Sequence, residues 1–211
     1  MTQQFNSGDY LGDEQDVHSY PQRGALTPQM GTGFTEKFAK GILRLFGWRL
    51  AGRIPNLSKI MVIGAPHTSN WDWILVMLAA YGLGIKISWL GKHTAFKSPL
   101  GPMFRYFGGI AVDRRAPNGV VGQCVERFEQ AQKLALCITP EGTRSKVNEW
   151  KKGFYHIAVE ANVPIVLASF DFGEKVVGFG PTIYPSGDLE KELEDIKKLY
   201  STVTAHRPAK F

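Results

Sequence analysis

The pattern of apolar and polar positions divides this chain of 211 residues at about residue 33. Before that point Gly, Gln, Ser, Asp and Pro are frequent, and the apolar residues show no periodicity. A segment of this composition buries too little apolar surface to offset the entropy lost when it is ordered. Residues 1–33 are therefore predicted to form a flexible tail.

The following segment, residues 34–57, begins with the spacing of an amphipathic helix. Its apolar residues follow one another at steps of four, four, three and one, which places them on one stripe of a helix; they are Phe34, Phe38, Ile42, Leu45 and Phe46. Lysine and arginine take much of the remaining surface. Such a helix is able to attach to a membrane surface, or to pack its stripe on the domain and leave its basic face in water. Both interpretations stay open, and the two are compatible.

From residue 58 to residue 211, short apolar runs alternate with segments of helical spacing. KIMVIGA at 59–65, IKISWLG at 85–91 and LALCITP at 134–140 are typical of buried strands. The segments between the strands, and a charged segment at 188–202, are typical of helices. This alternation predicts a single α/β domain with a mostly parallel central sheet flanked by helices.

The charge of the chain is unevenly placed and points to an anionic partner. The net charge is +6, but residues 1–33 hold four acidic residues and one arginine (−3), so the remainder carries +9. A basic body favours a phosphate-bearing substrate, an anionic membrane surface or nucleic acid, although it also serves solubility. No zinc-finger, helix-turn-helix or RNP-like motif is present, so no nucleic-acid partner is predicted.

The two cysteines, Cys124 and Cys137, lack the spacing of a disulfide framework or a zinc site. Neither a metal nor another bound cofactor is predicted. The first 20 residues lack the basic start and apolar centre of a signal peptide. No apolar run reaches the ~18–20 residues that a membrane-spanning helix requires. A cytoplasmic protein, peripheral to the inner face of the membrane, is therefore expected.

The stretch GAPHTSNWDWI at 64–74 places a histidine and an aspartate around a predicted helix start. His67 falls in the turn after a strand, and Ser69 or Asn70 is suited to cap the next helix. Asp72 would lie in the first turn of that helix, where the chain is able to fold its carboxylate back to the imidazole. The carboxylate would fix the tautomer of His67 and strengthen it as a base. Simple capping of the helix is the alternative.

Two further polar stretches also follow predicted strands. CITPEGTRS at 137–145 ends in a loop whose glycine permits a tight turn, whose exposed amides suit an anion, and whose arginine offers a planar fork for phosphate. GGIAVDRR at 108–115 places Arg114 at the end of another strand, at the same edge of the sheet. A polar turn without a ligand is the alternative for the first of these stretches.

The blocks HTSNWD, GGIAVDR, PEGTRS and VPIV, in this order, resemble the four sequence blocks of the PlsC-like lysophospholipid acyltransferase family. The resemblance spans about residues 59–170, and KKGFYHIA at 151–158 resembles the family's Lys-Gly segment after the third block. It implies transfer of a fatty acyl group from an acyl thioester to a hydroxyl of a lysophospholipid such as 1-acyl-glycerol-3-phosphate. Acyl-CoA or acyl carrier protein would be the co-substrate.

The resemblance also implies a role for each matched residue. His67 would be the general base that deprotonates the acceptor hydroxyl, and Asp72 would orient it. The substrate-binding residues would be those of the second and third blocks: Arg114, Glu141, Gly142, Thr143 and Arg144. Among them, Glu141 would hold the loop, while the arginines and Gly142 would bind the phosphate of the acceptor.

Three positions depart from the family's pattern: Pro66 where asparagine is common, Ala111 where a bulky residue is common, and Thr139 where an apolar residue is common. These departures affect the identity of the acceptor more than the type of reaction. Acyl transfer to an amino-acid lipid or a glycolipid therefore stays open. So does a lipid-surface binding protein without catalysis.

Overall fold

The structure is a computed structural model and describes residue 21 and residues 23–143, 145–147 and 149–210. In that part of the chain, seven strands form one sheet: β1 (Arg49–Gly52), β2 (Lys59–Ala65), β3 (Ile87–Lys92), β4 (Gly109–Val112), β5 (Leu134–Ile138), β6 (Ile165–Asp171) and β7 (Val176–Ile183). Six α-helices accompany them: α1 (Gly33–Leu45), α2 (Asn70–Leu83), α3 (Gly101–Tyr106), α4 (Gly119–Gln130), α5 (Gly153–Glu160) and α6 (Leu189–Tyr200).

The strand order across the sheet is β1-β7-β6-β2-β5-β3-β4. Every neighbouring pair is parallel except β6 and β7, which are antiparallel. The predicted α/β domain with a mostly parallel sheet is thus confirmed. Because β2, β5, β3 and β4 run in one direction, their carboxyl ends meet at one edge, where α/β sheets bind ligands.

Helices cover both faces of the sheet, which explains the nearly continuous apolar runs of the central strands. Met61 and Ile63 of β2 pack into a core shared with α4, α5 and α6. Ile60 and Val62 of the same strand point to the other face, where α1 and α2 cover the sheet. Side chains of a strand alternate between faces, so both faces of β2 must be apolar.

The helix at the start of the domain is shorter than predicted. It ends at Leu45, and Gly47 follows with φ of +77°, a left-handed conformation that glycine adopts without steric cost. Trp48 and Leu50 are then buried, and β1 pairs with β7. The predicted helical segment 34–57 therefore contains a helix, a sharp turn and an edge strand.

The apolar stripe predicted for this helix is not the face that packs on the domain. Ala39 and Leu43 are buried, and Leu43 belongs to the core beneath α2. The side chains expected in the stripe are instead 62–80% exposed, with Ile42 partly buried; they are Phe34, Phe38, Leu45 and Phe46. Helix α1 therefore presents apolar side chains both to the domain and to solvent.

Most of the predicted tail, residues 1–20 and 22, lies outside the described residues. From Arg23 onwards the chain differs from the prediction of flexibility because it makes defined contacts with α1 and α2. The Arg23 guanidinium pairs with Glu36 of α1. The backbone N–H of Met30 donates to the carbonyl of Gly84 at 3.0 Å. These are contacts of single residues and backbone, which leave no periodic signal in the sequence.

Candidate active site

The turn between β2 and α2 brings His67 and Asp72 together, as the sequence predicts. Nδ1 of His67 lies 3.2 Å from Oδ2 of Asp72. The carboxylate is completely buried, while the histidine side chain keeps 16% of its surface exposed. The pair therefore combines a carboxylate shielded from water with an imidazole that solvent or a substrate is able to reach.

The same carboxylate also caps α2. Oδ2 of Asp72 accepts hydrogen bonds from the backbone N–H groups of Thr68 at 2.7 Å and Ser69 at 2.8 Å. The Ser69 hydroxyl donates to Oδ1 at 3.2 Å and accepts from the N–H of Trp71 at 3.1 Å. Capping and pairing with His67 are thus two functions of one side chain, not alternatives.

These donors keep Asp72 ionised at neutral pH. Burial would raise its pKa, but the hydrogen bonds from His67, Ser69 and Thr68 stabilise the anion and bring the pKa below its ordinary value. An ionised carboxylate at Nδ1 favours the tautomer that carries its proton there. Nε2 of the neutral imidazole is then the nitrogen able to accept a proton.

Glu141 ties the loop after β5 directly to the turn that carries the histidine. Its two carboxylate oxygens accept from the backbone N–H of His67 at 3.0 and 3.2 Å. Glu141 is 5% exposed, and this burial raises its pKa to about 6. The sequence predicts that Glu141 holds its own loop; the bond to the backbone of His67 was not predicted.

The loop itself differs from the predicted anion site in one respect. Gly142 has φ of +64°, but its N–H donates to the carbonyl of Thr139 at 3.0 Å and so closes a turn. That amide is not available to a phosphate. Thr143 is exposed beside it, and Arg144 lies outside the described residues.

Arg114 lies exposed in the turn after β4, at the same edge of the sheet as His67. Strand β3 separates β4 from β5, so Arg114 and Glu141 follow strands roughly 10 Å apart. The sequence did not single out His93, whose Nδ1 lies 3.6 Å from Oδ1 of Asp113, the neighbour of Arg114.

The segment after α6 also contacts the turn between β2 and α2. The N–H of Arg207 donates to the hydroxyl of Thr68 at 3.2 Å, and Thr68 is buried beneath it. The two residues are 139 positions apart, and nothing in the sequence around either one indicates the contact.

The described residues offer no group for metal or thiolate chemistry. They contain no group of three or more His, Cys, Asp or Glu side chains that could hold a metal ion, and no helix long and apolar enough to cross a membrane. Burial raises the pKa of Cys124 to about 11 and that of Cys137 to about 12. Neither thiol is therefore appreciably ionised at neutral pH.

Comparison with protein families shows which family contains these residues. The model of the acyltransferase family matches residues 51–170, more than half of the chain. The chain belongs to the acyltransferase family. The matched segment contains the His67–Asp72 pair, Arg114 and the Glu141 loop.

Curated relatives carry a more specific name. A 1-acyl-sn-glycerol-3-phosphate acyltransferase from Limnanthes alba is 32% identical over 106 residues, which are 47% of this chain and 37% of that protein. One from Cocos nucifera is 42% identical over 60 residues, 26% of this chain and 20% of that protein. The chain thus spans less than two fifths of the length of these relatives.

A solved structure has the same fold. The crystal structure of the 1-acyl-sn-glycerophosphate acyltransferase PlsC from Thermotoga maritima matches with a TM-score of 0.57 and 21% sequence identity. The match covers 79% of this chain and 75% of that one. With the family match, it confirms the predicted resemblance to PlsC-like acyltransferases.

Proposed function

We propose that this chain is an O-acyltransferase that moves a fatty acyl group from an acyl thioester to the hydroxyl of 1-acyl-glycerol-3-phosphate. The observation that carries the proposal is the His67–Asp72 pair, fixed by Glu141 at the carboxyl edge of the sheet. Membership of the acyltransferase family and the names of the curated relatives support the substrate class.

In the proposed reaction, Nε2 of His67 removes the proton of the acceptor hydroxyl as the oxygen attacks the thioester carbonyl. The C–O bond of the ester forms, the C–S bond breaks, and the leaving thiolate of CoA or acyl carrier protein takes the proton from the imidazolium. Asp72, held by two backbone N–H groups, stabilises the imidazolium while it exists. General-base catalysis of this kind contributes about 10²–10⁴ to the rate.

Direct transfer is favoured over a covalent acyl-enzyme. A cysteine nucleophile acts as the thiolate, and burial raises the pKa of both thiols far above neutrality. The nearest serine along the chain, Ser69, donates its hydroxyl hydrogen to Asp72. A serine nucleophile would instead need to give its proton to the histidine.

The exposed face of α1 supports attachment to an anionic membrane surface. Phe34, Phe38 and Leu45 are mostly exposed and lie on the helix face that points away from buried Leu43. Lys37 is exposed beside them. Apolar side chains flanked by lysine and arginine are typical of helices that lie in a membrane interface, where the proposed lipid acceptor is found.

An acceptor panel with one radiolabelled acyl donor tests the proposed reaction. Lysophosphatidate and monoacylglycerol form the critical pair, because they differ only in the phosphate; an amino-acid lyso-lipid tests the other acceptor class. We expect acyl transfer to lysophosphatidate at least 10-fold faster than to either alternative. Equal rates with monoacylglycerol would contradict a phosphate acceptor, and vesicle binding without any product would indicate a non-catalytic lipid-binding protein.

A further inference from the structure

Lys151 lies across the loop that ties the sheet edge to His67. A Cβ at position 142 would lie 2.7 Å from its Nζ, so the ammonium sits against the bare backbone of Gly142. The backbone N–H of Lys151 donates to the carbonyl of Pro140 at 2.8 Å. Both the main chain and the side chain of Lys151 are therefore placed against the Pro140–Gly142 turn.

The neighbouring lysine, Lys152, is placed differently and has a carboxylate partner. Lys152 turns to α6 and pairs with Oε1 of Glu190 at 2.6 Å. In the described residues Lys151 has no such carboxylate partner. Glu141 does not serve as one, because its carboxylate lies at the backbone N–H of His67 and forms no ion pair with Lys151. The ammonium of Lys151 is thus a cation beside the site whose charge no described side chain neutralises.

The loop that this cation contacts is tied to His67. Glu141, the neighbour of Gly142, bonds directly to the backbone of His67. The missing side chain of Gly142 leaves room that Lys151 partly fills, and the Gly142 amide is already used in the turn. An anion at this loop would therefore find a side-chain ammonium there, not a free glycine amide.

We propose that Lys151 binds the phosphate of the acceptor. This inference rests on the proposed function, since it assumes that a phosphate-bearing lipid is the acceptor. An ammonium binds phosphate as a point charge through up to three N–H donors. The phosphate does not change during acyl transfer, so Lys151 would hold it equally in the ground and transition states. Its loss would raise KM and leave kcat nearly unchanged.

The variants Lys151→Met and Lys152→Met provide a matched pair, since each removes one charge from adjacent positions. For Lys151→Met we expect the KM for lysophosphatidate to rise about 10- to 100-fold, the loss of one charged hydrogen bond. The KM for the acyl donor and kcat should stay within about threefold. Lys152→Met should resemble the wild type, and Lys151→Arg should restore most of the affinity. Equal KM values for lysophosphatidate in both Met variants would overturn the inference.

A binding measurement separates this inference from the proposed function. Calorimetric titration with glycerol 3-phosphate reports on phosphate binding without acyl transfer. If the wild type transfers no acyl group but binds this probe, and only Lys151→Met weakens the binding, the acyltransferase proposal fails and the phosphate site stands. Binding that is unaffected by Lys151→Met, or absent from an inactive wild type, would overturn the phosphate site.

Discussion

At the scale of single residues, the site depends on the hydrogen bonds that hold the carboxylate of Asp72 in one place. Its Oδ2 receives Nδ1 of His67 and two backbone N–H groups, and the side chain is fully buried. Three donors from one short segment of chain thus hold the carboxylate in place. The imidazole is therefore oriented by a group that is itself fixed by the backbone.

Replacement of Asp72 with asparagine should lower kcat by about 10²–10⁴, the range of general-base assistance. The carboxylate of Asp72 now accepts from three donors. An asparagine would place there either its own N–H group or its carbonyl oxygen, which is a weaker acceptor, so the imidazole would lose its orientation. Steady-state kinetics at saturating donor and acceptor measure the effect. Asp171→Asn is a suitable control, because Asp171 also accepts two backbone N–H groups in a turn. A kcat within threefold of the wild type in Asp72→Asn would contradict the assigned role.

Glu141 should make the stability of the protein depend on pH in a defined window. Its pKa rises from 4.5 to about 6 on folding, so the folded state binds the proton more tightly than the unfolded state. The contribution to the free energy of unfolding is therefore fully present below pH 4.5 and declines as pH rises through 6. The contribution to the free energy of unfolding differs by about 2 kcal/mol between the two ends of this pH window.

Urea denaturation of the wild type and Glu141→Gln at pH 4 and pH 7 measures this contribution. The glutamine retains a carbonyl that accepts from the His67 N–H but does not ionise. From pH 4 to pH 7 the wild type should lose the contribution of protonated Glu141, while the variant should not. The free energy of unfolding of the variant minus that of the wild type should therefore rise by about 2 kcal/mol. A difference that is the same at both pH values would contradict the raised pKa.

At the scale of secondary-structure elements, the start of α2 connects folding to chemistry. Ser69 caps the helix, and its hydroxyl also bonds to Asp72. Ser69→Ala should lower the free energy of unfolding by about 1 kcal/mol, the usual value of an N-cap. Since Asp72 would retain its bonds from the two N–H groups and His67, kcat should fall less than 10-fold. Urea denaturation measures the change in the free energy of unfolding, and steady-state kinetics measure the change in kcat. A larger loss of kcat than in Asp72→Asn would show that the hydroxyl itself acts in the reaction.

The sequence predicts most elements correctly because each central strand is a compact apolar run and because helices such as α4 and α6 have a clear period. It misses β1, whose four residues are too short to show a period. It also leaves open which partner the apolar stripe of α1 meets. Periodicity shows that Phe34, Phe38 and Leu45 share a stripe, but not whether protein or solvent meets it.

The site was predicted where local sequence determines it, and missed where distant segments meet. His67 and Asp72 lie within one turn and helix start, so their pairing follows from the spacing. Contacts of the turn between β2 and α2 with Glu141 and Arg207 depend on the assembled sheet and on the segment after α6. The placement of Lys151 against Gly142 likewise depends on how the loop closes, which the residue types do not reveal.

At the scale of the whole molecule, charge and apolar surface point to a lipid interface. The chain carries +9 beyond residue 33, and α1 presents an apolar stripe to solvent on the face of the sheet that α2 also covers. The opposite face is covered by α4, α5 and α6. The proposed membrane surface is therefore on one side of the domain.

The double variant Phe34→Ser/Phe38→Ser should bind vesicles that contain anionic lipid at least 10-fold more weakly than the wild type. Both side chains are mostly exposed, so the free energy of unfolding should change little. Val159→Ser on α5 removes an exposed apolar side chain from the opposite face and serves as the control. Co-sedimentation with vesicles measures the binding; equal binding by the double variant and the control would contradict a membrane role for this stripe.

The most direct test of the central claim follows thiol release from a long-chain acyl-CoA or acyl carrier protein with lysophosphatidate as acceptor, in the wild type and in His67→Gln. We expect acceptor-dependent release by the wild type. In the variant, kcat should fall by a factor of about 10²–10⁴, while the circular dichroism spectrum and lysophosphatidate binding are retained. Release by His67→Gln at the wild-type rate would contradict the assignment of His67 as the base.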